Sequence, residues 1–164
     1  MSNDPLAIYL HDHVAGAAFA IQLLEALRDH HARDLLGPFA ADLLREIEQD
    51  RVELEGLIKR LGSQPSGVKE AVAWLAEKAS RLKLRRHGEG VLGTFETLEA
   101  LALGIRGKEA LWGALEVAAV ADPRLQGVDY PLLARRAQQQ FAAVETRRLE
   151  LAATLFALPA SVGN

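Results

Sequence analysis

Apolar residues recur at three- and four-residue steps along most of this chain, and the recurrence stops at a few segments rich in proline and glycine. That pattern predicts long amphipathic helices joined by turns. Leu6, Leu10, His13, Ala17, Ala20, Leu24 and Leu27 form the first stripe. Asp4-Pro5 opens it, with an acidic N-cap followed by a proline whose missing N–H does no harm in a first helical turn. The predicted helix covers about residues 5–31. Gly37-Pro38 restarts the chain, and Leu43, Leu44, Ile47, Asp50, Leu54, Leu57, Ile58 and Leu61 carry the next stripe to Gly62, a suitable residue just past a helix end. This second helix covers about 38–61.

Ser63-Gln-Pro-Ser-Gly67 reads as a loop, and Val68, Val72, Leu75, Ala79 and Leu82 predict a shorter connector helix over about 68–85. After His87-Gly-Glu-Gly90 a long stripe through Phe95, Leu98, Ala102, Ile105, Leu111 and Leu115 predicts a helix over about 91–120, closed by Asp122-Pro123. Asp129 then caps a last helix over about 130–158, with Pro131 in its first turn and a stripe through Leu133, Ala137, Phe141, Val144, Arg148, Leu151 or Ala152, and Leu155. Four helices of this length are each near 40 Å long at about 1.5 Å per residue, so they pack side by side. The expected fold is an all-α four-helix bundle forming one domain over 1–164. The short linkers inside each pair force antiparallel hairpins, whereas a connection of about 28 residues between the pairs allows the second and third long helices to run parallel.

Composition narrows the classes. With 49% hydrophobic and 25% charged residues the chain can bury a core of its own, and alanine and leucine outweigh the β-branched residues. No uncharged apolar run reaches the length of a membrane span, and Met1-Ser-Asn-Asp-Pro5 lacks the basic and apolar regions of a secretory signal, so a cytoplasmic protein is expected. The absence of cysteine excludes disulfides, thiolate metal sites and cysteine nucleophiles. A net charge of −3 predicts no general affinity for nucleic acid or for anionic membrane. The basic cluster Lys78, Arg81, Lys83, Arg85, Arg86 and His87 reads as a solvated face, because only Trp74 offers an aromatic platform nearby.

Two helical hairpins joined by one long crossover resemble the ferritin-like superfamily, and the resemblance covers nearly the whole chain. More narrowly, Tyr9-Leu-His-Asp-His-Val-Ala-Gly-Ala17 and Leu103-Gly-Ile-Arg-Gly-Lys-Glu-Ala-Leu-Trp112 are similar to blocks in small bacterial ferritin-like proteins, mostly uncharacterised. Membership implies a metal centre built from a Glu on each of two helices and a Glu-x-x-His on each of the other two. This sequence departs from that pattern. The axial pair of the second helix is Ile47 and Asp50, or Glu46 and Gln49 one register away, and that of the last helix is Glu145 and Arg148. Arginine stays protonated and cannot ligate a metal. No metal and no cofactor are therefore expected, and Asp50, Glu109, Glu145 and His13 are what remains of a ligand set.

Asp50, Lys108, Glu109, Glu145 and Arg148 each stand near the middle of their helices. Charge at that depth needs a partner, so the expectation is an ion network in which Arg148 bridges Asp50 and Glu145, with Lys108 or His13 outside it. The alternative is that these groups lie on solvated faces. Gly104 and Gly107 inside a helix cost about 1 kcal/mol each relative to alanine, which suggests close packing against Gly16 and Ala17; the other readings are the floor of a small pocket and plain surface glycines. His11-Asp12-His13 is a poor chelate, because residues two apart on a helix diverge. None of the five serines and four threonines sits in a strand-to-helix elbow, so nucleophilic catalysis has no support.

The function expected from sequence is that of a non-catalytic ferritin-like bundle acting as a structural or interaction module. A homo-oligomer, a dimer first, is the expected partner, with exposed Trp112 or Trp74 marking the contact. Two alternatives stand beside it. One is a metal-binding oxidoreductase with an atypical site at Asp50, Glu109, Glu145 and His13. The other is a carrier of a small apolar ligand, signalled by a cavity beside Gly104 and Gly107.

Overall fold

The computed structural model describes residues 4–62 and 90–157, and among these it contains four α-helices, one short 3-10 turn and no strand. The helices are α1 (Pro5–His30), α2 (Leu36–Arg60), α3 (Val91–Ala118) and α4 (Tyr130–Leu155), with the 3-10 turn at Pro123–Leu125. The connector helix expected over about 68–85, the basic cluster from Lys78 to His87 and Trp74 lie outside the described residues. Among the described residues no helix is long and apolar enough to cross a membrane.

Local chemistry sets the helix ends. Asp4 accepts a hydrogen bond from the Leu6 backbone N–H at 3.0 Å, and Asp129 accepts one from Leu132 at 2.9 Å, each satisfying a donor that the first turn leaves over. Helix α2 begins at Leu36 rather than at 38 because Asp34 accepts from the Leu36 N–H at 2.8 Å and starts the turn early. Gly37 then lies so close to the His31 carbonyl that a Cβ there would collide with backbone. At the other end Gly62 takes φ 65°, and its N–H returns to Lys59 O at 3.1 Å.

Four contacts between helix ends define the topology. Arg124 reaches Asp4 at 3.3 Å and Arg60 donates to the Gln126 carbonyl at 2.8 Å, so the start of α1, the end of α2 and the α3–α4 loop share one end of the bundle. At the opposite end a His31 ring nitrogen lies 3.0 Å from the Thr94 hydroxyl, joining the end of α1 to the start of α3, and Phe95 stacks edge-on with Phe156 at 5.5 Å. Helices α1 and α2 thus form one antiparallel hairpin and α3 and α4 another. Helices α2 and α3 run parallel.

The hairpins meet mainly through α1 and α3. Leu10, Leu24, Leu27, Leu57, Leu98, Leu101, Leu111 and Leu115 are almost fully buried at their junctions, each contributing roughly 1.5–3 kcal/mol over an exposed position. Trp112, expected at a subunit surface, is instead 1% exposed, with its ring 6.5 Å from that of Tyr130. It continues the inward face of α3 that carries Ile105 and Leu115, three to four residues per step. Tyr130 is held in turn by its hydroxyl, which donates to the Leu125 carbonyl at 2.6 Å.

Candidate functional site

Polar chemistry converges on Asp50. Its side chain is 3% exposed, and it accepts from Lys108 on α3 and from Arg136 and Gln140 on α4. Gln140 is shared: its amide nitrogen donates to Asp50 at 3.3 Å and to Glu46 at 2.9 Å, while its oxygen accepts from Lys108. Glu46 and Asp50 are four residues apart on α2, as are Arg136 and Gln140 on α4, so each pair presents one helical face to the other. The network joins three helices from both hairpins. Burial pushes the Lys108 ammonium below the usual lysine range, and the Asp50 carboxylate beside it opposes that shift.

Arg148 is not part of this network. It pairs with Glu145 one turn away on its own helix, through contacts of 2.8 and 2.6 Å, and packs its guanidinium over Phe95 at 5.2 Å. The bridge to Asp50 expected from sequence fails for a reason of height. Asp50 lies ten residues before the end of α2, and α4 begins at that same end of the bundle, so the level of Asp50 meets α4 near residue 140. Glu145 and Arg148 stand one to two turns beyond it. Arg136 and Gln140 were absent from the sequence expectation, although a signal existed. Tyr130, Leu133, Ala137, Gln140 and Val144 are the buried residues of α4, a regular series into which Gln140 falls as the polar member. The predicted stripe holds at Leu133, Ala137 and Val144 and misses at Phe141, which is only half-buried and stacks beneath the Arg106 guanidinium at 3.7 Å.

The residues left over for a metal are not brought together. Glu109 is held by Arg106 at 2.7 Å and by Gln138 at 2.8 Å, Glu145 by Arg148, and Asp50 by two cations and an amide. His13, on α1, stacks edge-on against Tyr9 at 4.7 Å. Burial lowers the His13 imidazole below its ordinary value, with Asp12 pulling weakly the other way. Among the described residues no group of three or more histidine, aspartate or glutamate side chains could hold an ion. The donor set does not fit the metal pair that a ferritin-like resemblance implies.

Beside the network lies a cavity of about 290 Å³ between α1, α2 and α3. Its walls are mostly apolar, from Phe19 and Leu23 on α1, Leu54 on α2, and Ile105, Leu111 and Trp112 on α3. Its polar lining comes from His13, Asp50, Arg51 and Lys108. Gly16, Ala17 and Gly104 border its open side, where Gly16 and Gly104 are exposed and a Cβ added at either would meet open space. Close packing of small residues across α1 and α3, one expectation from sequence, is therefore not what these glycines do. Phe19 on α1 and Trp112 on α3 line the same space. Gly107 does not border the cavity; it is exposed.

The structure thus provides a preformed apolar space with a charged end, near the lower limit of the roughly 300–1,000 Å³ typical of small-molecule sites. Comparison of the chain with family models, with curated proteins and with solved structures finds no match.

Proposed function

We propose that this protein is a ferritin-like bundle that binds a small, largely apolar molecule between α1, α2 and α3, with an ion network in place of a metal centre. The observation that carries the reading is the open apolar cavity at Gly16 and Gly104. Gly16 and Gly104 are exposed at its rim, so the apolar space opens to solvent between α1 and α3, and glycine stands at both positions where an alanine would be the better helix former. The parallel course of α2 and α3 supports the ferritin-like reading of the fold. Neither metal chemistry nor a nucleophile is invoked, so the role is carriage or sensing. Calorimetric titration with 1-octanol tests it: saturable binding to the wild-type chain is expected, with at least a tenfold loss in Gly104→Leu, whose side chain would occupy the space. Absence of binding to the wild type would contradict the reading.

A second reading, a self-associating interaction module, is favoured by the exposure of Leu103, Val117 and Val120 along and just beyond α3, at 69%, 76% and 86%. Light scattering on the purified chain distinguishes a dimer from a monomer.

A further inference from the structure

The polar end of the cavity has a definite character. Asp50 borders it, but its carboxylate already accepts from Lys108, Arg136 and Gln140. A cationic ligand would have to displace one of these donors. Lys108 is in the opposite condition: an ammonium carries three N–H donors, and among the described residues two are taken, by Asp50 and Gln140. One turn along the same face of α3, Trp112 also borders the cavity, and its indole N–H is buried with no acceptor among the described residues. Across the space, His13 contributes a third polar group, from α1. The charges tilt the same way. Lys108 and Arg136 stand against a single buried carboxylate, since Glu46, which completes the balance, is exposed.

We infer that the ligand is a monocarboxylate with an apolar chain or ring, its carboxylate accepting from Lys108 and its body lying against Leu23, Leu54 and Ile105. This rests on the small-molecule reading above and adds the head group to it. A carboxylate supplies acceptors for the donors left unused, and a charge-assisted hydrogen bond to the largely buried Lys108 ammonium outweighs one made to a hydroxyl. An alcohol of the same length fills the same apolar space without that gain. An amine places a second ammonium beside Lys108 and Arg136.

The test compares octanoate, 1-octanol and octylamine by calorimetry on the full chain at pH 7. Octanoate is expected to bind at least about tenfold more tightly than octanol, and octylamine more weakly than either. Lys108→Met is expected to abolish the preference, so that octanoate binds that variant no more tightly than octanol does. Should that variant fail to fold, the comparison on the wild-type chain still decides. Octanol binding as tightly as octanoate, or more so, would overturn the head-group assignment and leave the cavity reading standing. Failure of all three to bind would overturn the cavity reading as well.

Discussion

Lys108 on α3 donates to Asp50 on α2, and both side chains border the cavity while being largely withdrawn from water, at 14% and 3% exposure. One pair of residues therefore ties the two hairpins together and sets the charge of the space between them. Burying such a pair gives no guarantee of net stabilisation, because desolvation offsets much of the attraction. Removing one partner is a different matter, since the other charges stay buried without compensation.

Asp50→Ala should accordingly destabilise the fold by about 3–5 kcal/mol, because Lys108 and Arg136 lose their shared counter-charge. Arg148→Ala should cost much less, about 1 kcal/mol or below, since its ion pair with Glu145 stays within α4 and both side chains are only half-buried. Urea denaturation of the two variants checks both statements. A large loss at Arg148 together with a small one at Asp50 would place the network elsewhere.

The glycines divide into two kinds. Gly37→Ala should destabilise, because its Cβ would collide with the His31 backbone, which has no freedom to retreat. Gly107→Ala should raise stability by up to about 1 kcal/mol, since an exposed helical position with open space gains propensity and loses nothing. Thermal midpoints of the two variants should move in opposite directions.

His13 gives the cavity a pH signature. Its folded pKa is lowered by burial, so between that value and the unfolded 6.5 the unfolded chain binds more protons than the native one. Stability from this residue is therefore complete above pH 6.5, falls as pH drops through that window, and is flat below it. His13→Gln should lose this component. The check is the difference in denaturation midpoint between wild type and variant across pH 4.5 to 7.5. A His13 resonance titrating at or above 6.5 would contradict its burial beside the cavity.

How much of this was legible in the sequence depended on which distance each feature required. The helices and their caps were legible because an i, i+3/i+4 stripe and an Asp-Pro pair act within one turn, and α1 and α4 start at the residues those signals mark. The burial of Asp50 follows from its place between Ile47 and Leu54 in one stripe. Its partners depended on the relative height of helices that touch only in the folded chain. Equating helix midpoints placed Arg148 where Gln140 belongs. The cavity depended on how far apart α1, α2 and α3 lie where Phe19, Leu54 and Trp112 line it, and no periodicity reports that. Trp112 was misplaced for a related reason: the stripe through Leu111 and Leu115 is right, but the buried face of α3 is wide enough to take Trp112 beside them.

The central claim is that the space bordered by Gly16 and Gly104 takes a small apolar molecule. The most direct measurement is amide and methyl NMR of the full chain titrated with 1-octanol. Saturable shifts should cluster at Gly16, Leu23, Leu54, Gly104 and Ile105, and should vanish in Gly104→Leu while that variant remains folded. Shifts that fail to saturate, or that map to the exposed apolar residues Leu103, Val117 and Val120 instead, would contradict it.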